Sequence, residues 1–177
     1  RDANNNTVTG FTGTVNITSS GLLSSGGGTT PGFSSGVLAS QSVTISNTGS
    51  FNITVTRTGF SETGTSNPFT VNPSALHHFA ISTITSQVAG TAFSITLTAQ
   101  DANNNTVTAF ARPVNLSTTA GTITPTISNN FTGGTLTQSV LVTLTGTGKT
   151  ISVLDDSTGQ AGISNGFAVT PGALDHF

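Results

Sequence analysis

Cysteine, methionine, tryptophan and tyrosine are all missing from this chain of 177 residues. Without Cys there is no disulfide framework and no thiolate metal site. Without Trp or Tyr, any aromatic platform for a ligand has to come from the eleven Phe. Charge is scarce as well. Charged residues make up 6% of the chain, against about 25% in ordinary soluble domains. The only basic side chains are Arg1, Arg57, Arg112 and Lys149, and they are scattered. Phosphate backbones are bound by clustered Lys and Arg, so nucleic acid is excluded as a partner. No apolar run approaches the length of a membrane-spanning helix. No window carries a helical period of apolar residues. Low charge does not make the chain disordered, because Val, Ile, Leu and Phe recur in strict alternation and the formal net charge is only −2.

The main positive feature is a duplication. Asp2-Ala3-Asn4-Asn5-Asn6-Thr7-Val8-Thr9 returns letter for letter as Asp101-Ala102-Asn103-Asn104-Asn105-Thr106-Val107-Thr108. Pro73-Ser74-Ala75-Leu76-His77-His78-Phe79 returns as Pro171-Gly172-Ala173-Leu174-Asp175-His176-Phe177. The period is about 98 residues, the size of a whole domain rather than of a solenoid turn. The chain therefore reads as a slice of a tandem array. Residues 1–74 form a module that lacks its first strands, 75–172 a complete module, and 173–177 the start of a third. The apolar runs Phe79–Ile84 and Phe93–Ala99 have no counterpart ahead of Asp2. A sheet left open there exposes unpaired backbone and half a core. Excision from a longer polymer is the favoured explanation, and strand donation from a neighbouring copy is the alternative.

Strand signals are strong. Phe93–Ala99 alternates apolar and polar residues, which marks a strand with one face in a core. For the complete module the pattern predicts strands over 79–85, 92–100, 106–110, 113–118, 121–124, 135–145, 149–154 and 163–170, with Gly146-Thr147-Gly148 as a hairpin turn. The expected core is Ile81, Phe93, Ile95, Leu97, Phe110, Val114, Leu116, Val140, Val142, Ile151, Val153, Phe167 and Val169. Short, turn-punctuated strands in this number predict an all-β fold, a Greek-key β-sandwich repeated in tandem.

Asp101-Ala102-Asn103-Asn104-Asn105, followed by Val107, Phe110, Val114 and Leu116, resembles the "Asp-x-x-Gly-Asn, then apolar-x-x-Phe/Tyr-x-Gly, then Val" stretch of bacterial immunoglobulin-like repeats, the invasin/intimin-type and filamin-like modules of large secreted or surface-anchored proteins. Asn104 stands where that pattern often has Gly, and Asn tolerates the left-handed conformation next best. Ala111-Arg112-Pro113 departs from the Thr12-Gly13-Thr14 of the first copy. The resemblance implies tandem immunoglobulin-like sandwiches in stalks, adhesins and fibres, and it brings no catalytic residue.

Chemistry-bearing constellations are few. Asp101, Asn103 and Asn105, with Asp2, Asn4 and Asn6, have the Asp-x-Asn-x-Asn spacing that opens a calcium loop. Such a loop also needs a following Gly and a downstream Glu. Thr106 follows here, and the only Glu is Glu62, so a structural turn is the preferred reading. His77, His78 and His176 sit at the seams, where only the second His of each pair is common to both copies, and they read as linker side chains. Leu76 and Phe79 are expected to pack at the seam. Asp155-Asp156 reads as a solvated turn, since the first copy has Thr56-Arg57 there. Lys149 is a candidate for a Lys–Asn crosslink, a reading weakened by the absence of Lys from the first copy. No Gly-x-Ser-x-Gly elbow is present.

No catalytic residue and no cofactor is expected. The reading is a structural module of an extracellular fibre, stalk or adhesin array at a prokaryotic cell surface, with neighbouring modules or copies of itself as partners. The alternative is an adhesin domain that recognises glycan or host protein through end loops such as Gly21–Ser35.

Overall fold

The structure is a computed structural model and describes residues 1–174. It is all-β, with no helix among the described residues. The chain divides into two compact units, Arg1–Asn72 and a second that begins at Pro73.

Among the described residues the second unit has ten strands: β9 (His78–Ile81), β10 (Gln87–Val88), β11 (Phe93–Gln100), β12 (Asn115–Thr118), β13 (Ile123–Thr124), β14 (Thr135–Val142), β15 (Gly146–Lys149), β16 (Ile151–Leu154), β17 (Ala161–Ile163) and β18 (Phe167–Thr170). They form three ladders, in the orders β13-β14-β11-β9, β12-β16-β17 and β10-β18-β15. Strands adjacent in space are rarely adjacent in the chain. β11 pairs with β14, β12 with β16, and β15 with β18, all antiparallel. These are the crossing connections of a Greek-key sandwich. The period-2 pattern fixes the register: in β11, Ile95, Leu97 and Ala99 point into the core while Ser94 and Thr96 face out. A single apolar cluster joins these residues to Leu116, Val140, Val142, Ile151, Val153, Phe167 and Val169.

The expected core is found here, with Ile81 and Phe93 only half-buried at its margin. Phe79, Ile84, Ala120, Ile123 and Phe131 complete it. Phe79 was expected at the seam. Instead it is 2% exposed and wedged against Phe110 and Phe131, with ring centroids 5.2 and 5.8 Å away.

Two local expectations fail for identifiable reasons. Gly146-Thr147-Gly148 is strand rather than turn, because β14 and β16 belong to different ladders and the segment joining them pairs with β18 on the way. Residues 106–110 are not a strand. The chain pairs back through one bridge, Gln100–Thr106, and then turns again with Phe110 N–H donating to Val107 O.

The first unit has eight strands: β1 (Val15–Ser19), β2 (Leu23–Ser25), β3 (Gly28–Thr29), β4 (Thr44–Ile45), β5 (Gly49–Phe51), β6 (Ile53–Arg57), β7 (Thr63–Thr65) and β8 (Phe69–Val71). Its ladders β3-β1-β6-β7, β2-β4 and β5-β8 repeat pairings of the second unit. Val55 opposes Gly64 in β6–β7, as Val153 opposes Gly162 in β16–β17. Counterparts of β9 and β11 are absent from the described residues. The stretch that corresponds to β14 is strand only at Thr44–Ile45. Only Ile17 and Phe51 are buried apolar side chains here, while Val15 and Val55 are left half-open and their counterparts Val114 and Val153 are 3% and 1% exposed.

Candidate functional site

The duplicated Asp-Ala-Asn-Asn-Asn segment folds the same way in both units. The chain leaves β11, Asp101 N–H bonds to Asn105 O, and Asn104 N–H closes back on Asp101 O. That geometry puts Asn104 at φ 63° and its counterpart Asn5 at φ 67°, the left-handed region that Asn occupies at modest cost. Asp101 Oδ1 accepts the N–H groups of Asn103 and Asn105, both at 2.9 Å. Oδ2 accepts Ser74 N–H at 3.0 Å, and the Asn105 amide donates to both oxygens. Asp2 repeats this with Asn4 N–H, Asn6 N–H and the Asn6 amide. Donors, not further oxygens, surround each carboxylate, so a cation would compete with an existing set of hydrogen bonds. Asp101 is 1% exposed. Burial alone would raise its pKa, but the N–H groups of Ser74, Asn105 and Asn103 outweigh it and hold the carboxyl at about 2.

Asp155 is not a solvated turn residue. It is 2% exposed and ion-paired through both oxygens with Arg112. Thr158 Oγ1 and Ser157 N–H also donate to it. The Arg112 hydrogen bond is the largest influence on its carboxyl and outweighs burial, leaving it at about 2. Arg112 also lies over Phe110, 4.8 Å from the ring centroid. The first unit holds the same place with the charge reversed. Matching Val55–Gly64 to Val153–Gly162 moves the sequence pairing by one residue, so Arg57 rather than Thr56 stands where Asp155 does, 5.8 Å from the centroid of Phe11 and 3.6 Å from that of Phe60, and it is paired with Glu62. Asp156 is exposed and takes the Asn115 amide.

The remaining candidates are not brought together. His77 and His78 touch each other through Nδ1 atoms 3.2 Å apart, with no carboxylate between them, and His176 lies outside the described residues. Among the described residues no group of three His, Asp or Glu side chains converges. Lys149 Nζ donates to Thr119 O. Within Gly21–Ser35, Leu23–Ser25 and Gly28–Thr29 are strand, β2 pairing with β4 and β3 with β1, and the rest is loop.

One concavity was not foreseen from sequence. It is a groove of about 490 Å³ in the first unit, lined by Phe11, Phe33, Val15, Val55 and Gly64 together with Arg57. Phe11 and Phe33 meet edge-on, with centroids 5.1 Å apart. The signal that could have found it is the missing counterpart of Phe79, read against the retained phenylalanines.

No family model matches the chain, and no curated protein matches it either. Among solved structures it is similar to the S-layer protein rSbsC(31-844), with 19% identity over 98% of this chain and 22% of that one and a TM-score of 0.40. It is similar to the D00-D0 domain of Intimin at 15% identity over 89% of this chain and 86% of that one, with a TM-score of 0.48. The adhesin InvE of Yersinia pseudotuberculosis has 20% identity over 96% of this chain and 51% of that one, with a TM-score of 0.42. The chain thus spans about a fifth of the S-layer protein and half of InvE. Likeness at this level assigns neither family nor function.

Proposed function

We propose that this chain is a structural segment of a prokaryotic surface or extracellular array, in which β-sandwich modules follow one another to span distance and no reaction is catalysed. The observation that carries this is the difference between what the two copies share and what they do not. They share turn-makers and core formers: the Asp-Asn turns, Phe11 and Phe110, Val55 and Val153, Gly64 and Gly162. Beyond the turn aspartate and one seam histidine, His78 and His176, they share no titratable side chain. Arg57 stands against Asp155, and His77 against Asp175. Duplication that preserves folding and lets reactive positions drift fits a module kept for its shape.

In this reading the seam serves as a stiff joint. Pro73 fixes its own φ and offers no donor. Ser74 N–H is bonded to Asp101, and His77 N–H to Gln100 O at 2.8 Å, so the start of the second unit is fastened to that unit's own body. Neighbouring modules are the partners in this reading. A surface poor in charge and rich in Ser and Thr also puts little repulsion between copies. Electron microscopy of the parent protein tests the proposal. Extended rods or filaments with a period of a few nanometres per module are expected, and compact globules would sink it.

A further inference from the structure

The groove in the first unit corresponds to an occupied place in the second. There, Phe79 sits against the Phe110–Phe131 pair, whose rings meet edge-on at 4.9 Å. The Phe79 backbone then passes over Gly162 so closely that a Cβ on that glycine would lie 2.1 Å from Phe79 O. A few residues later, Asn165 holds the backbone of Ile84 from both sides. Its Oδ1 accepts Ile84 N–H at 2.8 Å, and its Nδ2 donates to Ile84 O at 2.9 Å.

Every fixture of that socket is present in the first unit. Phe11 and Phe33 stand for Phe110 and Phe131, Gly64 for Gly162, and Asn67 for Asn165. The phenylalanines still pair edge-on, but the glycine and the asparagine lack the work their counterparts do. A Cβ on Gly64 would meet only Val55 Cγ2, at an ordinary 3.5 Å. Asn67 is exposed, and Phe11 and Phe33 open onto the groove. Space for a Cβ at Gly64 is unused, while the same position in the other copy forbids one.

We propose that the groove of the first unit is a strand socket whose occupant is the leading segment of this same repeat, a stretch of the Leu76–Ile84 kind. Its phenylalanine seats on Phe11 and Phe33, its backbone runs over Gly64, and Asn67 clasps the residue five places on. The second unit supplies the chemistry of the occupant, because the same set of fixtures there is filled by exactly such a stretch of sequence. The inference stands independently of the mechanical role proposed above.

The test adds a synthetic peptide of the sequence Ala75–Gln100 to the full chain and follows the melting of the first unit by calorimetry, with hydrogen exchange at Val55 to assign the transition. The expected result is a rise of about 5 °C or more at saturating peptide. A Phe79→Ala peptide should give no rise. Gly64→Ala in the chain should leave the melting without peptide unchanged and abolish the response, because the new Cβ occupies the path of the incoming backbone. Since a free peptide pays to become ordered, a second arm joins the same segment directly ahead of Asp2, in the place that Gln100 holds before Asp101. This fusion should raise the melting of the first unit, and Gly64→Ala should reverse the gain. The proposal is overturned if the fusion leaves that melting unmoved, if Gly64→Ala responds as the parent does, or if an unrelated alternating apolar peptide stabilises equally.

Discussion

Acidifying the protein from pH 6 to pH 2 is expected to weaken the second unit through two particular carboxylates. Asp101 and Asp155 both have folded pKa values of about 2, against an ordinary 3.8. A depressed folded pKa means that the unfolded chain takes up the proton first. The stabilisation is therefore fully present above about pH 4 and is lost as pH falls through about 2. A drop of this size corresponds to about 2.5 kcal/mol per group. Arg112, the partner of Asp155, is itself 44% exposed and solvent weakens that pair, so about 3–5 kcal/mol for the two carboxylates together is the working figure. That is a large share of the 5–15 kcal/mol by which a typical domain is stable. The assay is a denaturant titration followed by far-UV circular dichroism at half-unit pH steps, since the chain has no Trp or Tyr for fluorescence. Asp101→Asn and Asp155→Asn should each lower stability at pH 6 and each remove part of the slope between pH 4 and pH 2. A doubly substituted chain that loses stability as steeply as the parent over that window would refute the reasoning, and the single variants serve if the double variant does not fold.

Leu97→Ala, at a fully buried position, should cost about 2–5 kcal/mol and lower only the transition of the second unit in calorimetry. Gly162→Ala should be strongly destabilising, because its Cβ cannot avoid Phe79 O, whereas Gly64→Ala alone should shift melting little. Asn104→Ala should cost about 1 kcal/mol by thermal melting, and Asn104→Gly much less, since the turn holds this residue at φ 63°. Millimolar calcium should leave the melting temperature unmoved, because the turn carboxylates already accept N–H donors; a clear rise would restore the metal reading.

What could be read from the sequence was local and periodic. The alternation in Phe93–Ala99 gives the burial of Ile95, Leu97 and Ala99 directly, because side-chain direction in a strand depends only on parity. The left-handed Asn104 was legible because it stands where the resembled repeat pattern often has Gly, and Asn tolerates that conformation next best. What escaped depends on distant partners. Asp155 looked solvated because the first copy does not repeat it, and its partner Arg112 comes from a loop 43 residues away. Gly146–Lys149 looked like a turn because its two glycines outweigh local strand propensity, and only β18 beside it makes it a strand. Phe79 was assigned to the seam because it follows the proline joint so closely, and only the ring pair formed by Phe110 and Phe131 draws it inward. The groove needed both units side by side, since a vacancy is visible only against its filled copy.

The reversed charge over the repeated phenylalanine has a bearing on how such an array folds. Near-identical neighbours on one chain risk trading strands as they fold. Were β6 to take the place of β16, Arg57 would arrive beside Arg112, and two guanidinium groups would crowd one aromatic ring with no carboxylate between them. The correct partner brings Asp155 to that spot and closes the ion pair. The sign change thus disfavours that exchange and favours each unit's own strand.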